Sequence, residues 1–340
     1  MTVLVALQYS YKAITFIAVV SMSIALLAQS PDAPLARATD IDFSVEYSTG
    51  KLMLGDMLFA RSTLRNKADH AVKISRVNLL DIQAKSSVAQ ELVYSGDYGS
   101  SGYWWLELAP GSEVSSTHVL DMFGNDRKED GEFSPFDTTL NGQSVVLQAY
   151  RLIAESHELD GQDYRDFQPE HKQEIQFGKP IIDKDEFDRA VAAELKREDL
   201  KPLKLHFIAR QTSHLFTLSR GRYNPRTTAA IFHVLSKKLP KESSTRRAAA
   251  IVLQADQFIN ADVESEGQAI SSLISLLSEG VPMEQNYWRR ILLEQFSLNE
   301  IGFADRRIIP KEKYDRIVKR FDESGLRGLN TRTGYPDGDD

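Results

Sequence analysis

The chain has no cysteine in 340 residues. That absence removes disulfides, thiolate metal ligands, cysteine nucleophiles and lipid attachment through a terminal cysteine. Exported domains of the eukaryotic secretory type usually draw stability from disulfides, so an exported chain without any fits a bacterial envelope. Also missing are a GxSxG nucleophile elbow, a P-loop and an HExxH pair, and no fixed internal period is present. A strong charge of one sign is lacking too: 41 basic against 48 acidic residues leave a net charge of −7, which points to neither nucleic acid nor a polyacidic ligand.

What is present begins with an apolar run. Residues 13–28, AITFIAVVSMSIALLA, carry no charge, follow Lys12, and have no acidic residue before them. A basic n-region, an apolar h-region and the small residue Ala28 before Gln29 read as a signal peptide. An uncleaved anchor is the alternative, because Val3–Ala6 could extend the run past a snorkelling Lys12 into a transmembrane helix. Either reading places the rest of the chain outside the cytoplasm, periplasmic or extracellular, tethered to the cytoplasmic membrane if residues 13–28 stay.

Residues 29–40 form a linker marked by Pro31 and Pro34. From 41 to 180 the pattern is that of strands. Ile41, Phe43, Val45 and Tyr47 alternate, and β-forming segments follow at 57–64, 72–82, 91–94, 103–108, 114–120, 144–152 and 174–177, each bounded by turn residues. After Pro180 the period becomes helical, at 185–198, 225–238, 244–259, 264–279, 284–296 and 311–323, with Ser244 as a cap and Gly280 and Pro282 as a stop. The expectation is a two-domain α+β chain. An antiparallel sandwich over 41–180 precedes an all-α bundle or irregular α-solenoid over 183–324, and a Gly-, Asp- and Thr-rich tail over 325–340 is expected to be mobile.

The stretch 55–74, GDMLFARSTLRNKADHAVKI, reads as a strand, an Asn-centred turn and a returning strand, and LAPGSEV at 108–114 adds a Pro-Gly turn. This pairing resembles bacterial Ig-like or fibronectin-type β-sandwich modules, a resemblance placed on residues 41–178. It implies an Ig-like fold and no activity.

Charge is segregated along the chain. Between Lys196 and Arg247 thirteen basic residues face three acids, whereas the first 180 residues hold fifteen basic and twenty-four acidic. Arg220, Arg222, Arg226, Lys237 and Lys238 are therefore candidates for a surface that takes a polysaccharide or an anionic membrane. The plainer reading pairs these cations with acids across an interface. Tyr103-Trp104-Trp105 is the other candidate, since adjacent strand residues point to opposite faces and one large ring faces outward, ready to stack on a sugar or seat a partner. In the plainer reading Trp105 is covered.

The acidic loops 126–137 and 155–166 are ordinary solvated loops rather than calcium sites, because Lys128 stands at a ligand position of the first. His206 and His214 share one helical side without metal-ligand spacing, and no cofactor is implied. The function expected is non-catalytic binding of an envelope protein or polysaccharide, with no nucleic acid. An exported hydrolase whose carboxylates converge with His206, His214 or His233 only in three dimensions is the alternative, and a purely structural envelope element is a third.

Overall fold

Alternation of apolar and polar side chains makes β1 (Ile41–Tyr47) a half-buried strand, with every odd-numbered residue buried and every even-numbered one exposed. The computed structural model describes residues 33–37, 39–75, 81–85, 92–95, 105–120, 141–150, 170–204, 224–297 and 308–326. The other strands are β2 (Lys51–Leu54), β3 (Leu58–Asn66), β4 (Val72–Ser75), β5 (Asp81–Lys85), β6 (Leu92–Ser95), β7 (Trp105–Leu108), β8 (Glu113–Leu120), β9 (Ser144–Tyr150) and β10 (Glu170–Pro180). They sort into three sheets of three, five and two strands, with orders β1-β3-β8, β2-β10-β9-β5-β6 and β4-β7.

β1 pairs antiparallel with β3 from Ile41 opposite Asn66 to Tyr47 opposite Ala60. The other edge of β3 takes β8, with Leu58 opposite Leu120. Phe43 and Leu64 thus meet on one face and are buried, while Asp42, Ser44 and Glu46 take the other and are exposed. In the larger sheet β10 runs antiparallel to β9 and parallel to β2.

These pairings correct the expected Ig-like sandwich and the resemblance to Ig-like or fibronectin-type modules that suggested it. The described strands form small separate sheets with no closed sandwich, and one ladder is parallel. The physical reason lies at Asn66. Its side-chain amide donates to the carbonyls of His70 (2.8 Å) and Leu108 (2.9 Å), and its Oδ1 accepts from Ala68 N–H at 2.9 Å. The chain therefore turns out of the sheet, and the returning strand β4 pairs with β7 instead of β3. Pro110-Gly111, with Gly111 at φ +70°, likewise joins β7 and β8 of two different sheets, making a corner and no hairpin.

The helical half follows the sequence pattern closely. Among the described residues the helices are α1 (Lys184–Leu195), α2 (Pro225–Lys238), α3 (Ser244–Asn260), α4 (Val263–Ser278), α5 (Pro282–Ser297) and α6 (Lys311–Glu323). Asp183, Asn224, Ser243 and Asp262 cap the first four through their side-chain oxygens, each cap contributing about 1 kcal/mol. The α3 cap is Ser243, one residue before the Ser244 expected. Consecutive helices pack as neighbours, α1 on α2, α2 on α3, α3 on α4, α4 on α5 and α5 on α6.

Among the described residues the longest helix is α3, with 17 residues, and it carries Arg246, Arg247 and Asp256. Among the described residues no helix is long and apolar enough to cross a membrane. The expectation of a membrane protein with a transmembrane helix is corrected accordingly. Residues 1–28, on which both the signal and the anchor reading fall, lie outside the described residues, as does most of the 325–340 tail.

The helices dock on the sheets through α5, which packs against β3 and β8. The Phe59 ring meets Tyr287 edge-on at 5.5 Å, Tyr287 meets Trp288 at 5.2 Å, and Arg290 donates to the carbonyl of Thr117 at 3.0 Å. A polar clasp stands beside this contact. Gly55, at φ +93°, turns the chain between β2 and β3 and presents Asp56 to the N-terminus of α3. Asp56 Oδ1 accepts from Ser243 Oγ at 2.5 Å and from Thr245 N–H at 3.3 Å, and Thr245 Oγ1 donates to the carbonyl of Gly55 at 2.7 Å. A carboxylate at a helix N-terminus is the favourable charge arrangement. Behind it the buried Glu284 of α5 accepts both arms of Arg247, at 3.0 and 2.7 Å. Buried apolar residues run without a break from the sheets into the helices.

Candidate functional site

Where α1 ends, its last turn carries Glu194, and the connection that follows carries Arg197, Asp199, Lys201 and Lys204. Arg226, in the first turn of α2, donates to the carbonyl of Arg197 at 2.8 Å and to that of Leu195 at 3.4 Å. Asp256 of α3 accepts from the backbone N–H of Lys204 at 2.7 Å. These bonds pin residues 197–204 between α2 and α3, and a groove of about 1030 Å³ opens between this segment and helices α3 and α4.

The groove is polar on three sides. The α3 wall carries Gln254, Gln257 and Asn260, the α4 wall Ser265, Gln268 and Ser272, and the connection Arg197, Asp199, Lys201 and Lys204. Leu200, Leu203 and Leu253 add apolar surface. Asn260 donates to the carbonyl of Asp256 at 2.7 Å, and Ser265 donates to Asp262 at 2.5 Å, so both are engaged locally. Gln254 reaches the carbonyl of Ala269 at only 3.4 Å. Among the described residues Gln257, Gln268 and Ser272 meet no hydrogen-bond partner, which leaves their amides and hydroxyl to the groove.

The described lining residues carry charge of both signs. The guanidinium of Arg197 donates to Asp199 at 3.0 and 2.6 Å and also to Glu194, and these bonds, Asp199 first, raise its affinity for its proton. Three basic lining residues, Arg197, Lys201 and Lys204, face two acidic ones, Asp199 and Asp256, and Glu194 stands just behind.

His233 of α2 lines the same groove, with Nδ1 3.3 Å from Glu194 Oε1. The contact is close but misaligned, and Nδ1 has no hydrogen-bond partner among the described residues. Burial pushes the imidazole below its ordinary range, against the pull of Glu194. No serine or threonine hydroxyl is within bonding distance of it among the described residues. Elsewhere Ser116 Oγ lies 2.8 Å from His118 Nε2 and 3.0 Å from Ser62 Oγ, inside the three-stranded sheet. Among the described residues no group of three or more His, Cys, Asp or Glu could hold a metal ion.

The residues singled out from sequence are placed as follows. Arg226 serves the C-terminus of α1 through its two carbonyl bonds. Lys237 and Lys238 are exposed at the end of α2, 4.0 Å from Glu194 and 3.9 Å from Glu186 of α1. Trp105 opens β7 opposite Ser75, and its side chain lies outside the description. Tyr103, Arg220, Arg222, His206, His214 and the loops 126–137 and 155–166 also lie outside the described residues. The structure brings Arg226, Lys237 and Lys238 onto one side of the α1–α2 pair, each facing a carbonyl or an acid of α1.

Sequence reasoning missed the amides. Gln254 and Gln257 stand three apart on α3, and Gln268 and Ser272 four apart on α4, so each pair shares a helical face. That spacing was a readable signal, but the pairing of the two faces was not.

No family model matches the chain, and no curated protein does. Among solved structures a β-glucosidase from Erythrobacter marinus is similar at 15% identity and a TM-score of 0.25, over 40% of this chain and 15% of that one. An alkylpurine DNA glycosylase from Pseudomonas fluorescens shows 10% identity and a TM-score of 0.24, over 41% of this chain and 30% of that one. A sporulation control protein from Bacillus subtilis shows 10% identity and a TM-score of 0.23, over 46% and 55%. The chain thus spans 15% of the first of these and about half of the last. At these scores and coverages the likenesses assign neither a fold family nor an activity.

Proposed function

We infer that this is an exported, non-catalytic binding protein of a bacterial envelope, whose ligand, a protein segment or a glycan, lies in the groove between α3, α4 and the α1–α2 connection. One observation carries the reading: the groove is open, and among its described lining residues the amides of Gln257 and Gln268 and the hydroxyl of Ser272 have no hydrogen-bond partner within the protein. Unspent donors and acceptors in a concave site are what fix a polar ligand. Export rests on the charge-free run at 13–28 behind Lys12 and on the lack of cysteine.

The His233–Glu194 contact is the feature a hydrolase would use, since a carboxylate behind an imidazole orients a general base. The binding reading is preferred because Nδ1 of His233 makes no aligned hydrogen bond with Glu194, so the carboxylate does not orient the imidazole. Two experiments test it. A photo-crosslinking residue at position 257 should give a ligand adduct in the native host, whereas one at Lys51, on β2, should give none. Expressed with its own N-terminus in a bacterium, the protein should appear in the periplasm or the medium. Equal adducts at both positions, or retention in the cytoplasm, would overturn the corresponding half of the reading.

A further inference from the structure

The geometry points to the outer edge of β1 as a strand-addition site for an extended segment of a partner protein, one that alternates apolar and polar side chains and carries a basic residue on its polar side. This surface is separate from the groove and does not depend on the reading above. Two bonds that flank the β1–β3 ladder fix which way the backbone groups of β1 point. Ser48 N–H donates to the carbonyl of Phe59 at 2.9 Å, and Lys67 N–H to that of Asp40 at 2.6 Å. Bonded and non-bonded pairs alternate along an antiparallel ladder. The even-numbered residues Asp42, Ser44 and Glu46 therefore spend their N–H and C=O groups on β3. Ile41, Phe43, Val45 and Tyr47 turn theirs the other way, and β1 is the outermost strand of its sheet. Among the described residues these outward groups meet no hydrogen-bond partner.

The opposite edge of the same sheet is treated differently. By the same alternation the odd-numbered residues of β8 point away from β3, and there Arg290 of α5 takes the carbonyl of Thr117 at 3.0 Å. No described side chain does this for β1. Nor does β1 carry the usual protections of an edge: its seven residues, IDFSVEY, include no proline, glycine or lysine and no buried charge, and its ladder to β3 runs without a bulge.

The chemistry of the edge selects its occupant. Donors and acceptors that recur together at steps of roughly 7 Å match the backbone of another extended chain. An added strand would lay one row of side chains beside the buried Ile41, Phe43, Val45 and Tyr47, and the other beside the exposed Asp42, Ser44 and Glu46. Glu46 is already paired with Arg61, whereas Asp42 is in no ion pair among the described residues, so a lysine or arginine belongs next to Asp42. A second copy of the chain fits poorly. With all seven residues of two β1 strands paired antiparallel, Ser44 meets itself and Asp42 lies opposite Glu46 of the second copy, a like-charge pair at each end.

The experiment is amide hydrogen exchange on the full chain, read residue by residue, with the protein unaltered. In the free protein the amides of Ile41, Phe43, Val45 and Tyr47 should exchange about tenfold faster than those of Asp42, Ser44 and Glu46, or more. A ten-residue peptide alternating valine with lysine and threonine should slow the four fast amides by about tenfold. Glutamate in place of its lysines should weaken binding about three- to fivefold, the size of a cross-strand charge pair. N-methylation of alternate peptide residues should abolish the protection on one edge of the peptide and leave it on the other, since only one edge faces β1. A glycine- and serine-rich peptide, which lacks the alternation, should give none. Protection of the four amides in the free protein overturns the proposal: if it persists on dilution another part of the chain holds the edge, and if it is lost a second copy does. Equal binding of peptides N-methylated on either edge, or binding that leaves the four amides fast, overturns it as well.

Discussion

At the scale of single residues, the described ionisable groups are mostly spent on holding the structure together. Glu266 of α4 is buried and accepts both arms of Arg316 of α6, at 2.6 and 2.9 Å. Those bonds, first among the causes, hold its carboxyl below the usual range. A carboxylate whose folded pKa lies below its unfolded value stabilises the fold above the unfolded pKa, and that stability is lost as pH falls through the folded value. Glu266→Gln should therefore cost about 1 kcal/mol at pH 7, a figure kept small by the exposure of Arg316. The difference from the parent should vanish below the carboxylate range. Chemical denaturation at pH 7 and pH 3 reads this directly, and an equal difference at both would place the role of Glu266 in packing rather than charge. Lys313 illustrates the same economy, its ammonium donating to the carbonyls of Ala261 (2.8 Å) and Ile259 (3.3 Å) and resting 4.6 Å from the Phe258 ring.

At the scale of elements, the clasp between the β2–β3 turn and α3 is the joint on which the helical layer sits. Asp56 holds three successive residues of α3 and its cap, namely Ser243, Ser244 and Thr245. Asp56→Ala would strip these groups of their acceptor inside a part-buried joint and should destabilise the fold by about 2–3 kcal/mol. Faster amide exchange in the first turn of α3 should accompany the loss. A change spread evenly over all helices would mean that the joint has no local role. Elements of this kind differ in how far the sequence exposes them. Helices such as α2 and α6 were legible to the residue, because their apolar period is local and Asn224-Pro225 or Pro310 marks the start. β1 was legible for the same reason at period two. Strand partners were not: the exit at Asn66 depends on Leu108, 42 residues away, and no local pattern reveals that bond. The short strand β2 was missed as well, since four residues next to Gly55 read as a turn flank.

At the scale of the whole molecule, charge and polarity counted along the chain give way to charge and polarity arranged in space. The basic window 196–247 looks unmatched in sequence, yet Lys237, Lys238 and Arg247 stand near or against Glu194, Glu186 and Glu284 from outside the window. Conversely, the unremarkable glutamines of α3 and α4 become a seam only when the two helices lie side by side. The groove therefore follows from the packing order of α1 to α4. The most direct test of this account is a map of amide-shift or exchange changes over the full chain on adding, in turn, an oligosaccharide and an unstructured peptide. The account predicts changes confined to residues 197–204, 253–261 and 265–272. Changes centred on the sheets, for instance on β9 and β10, with that groove silent, would contradict it.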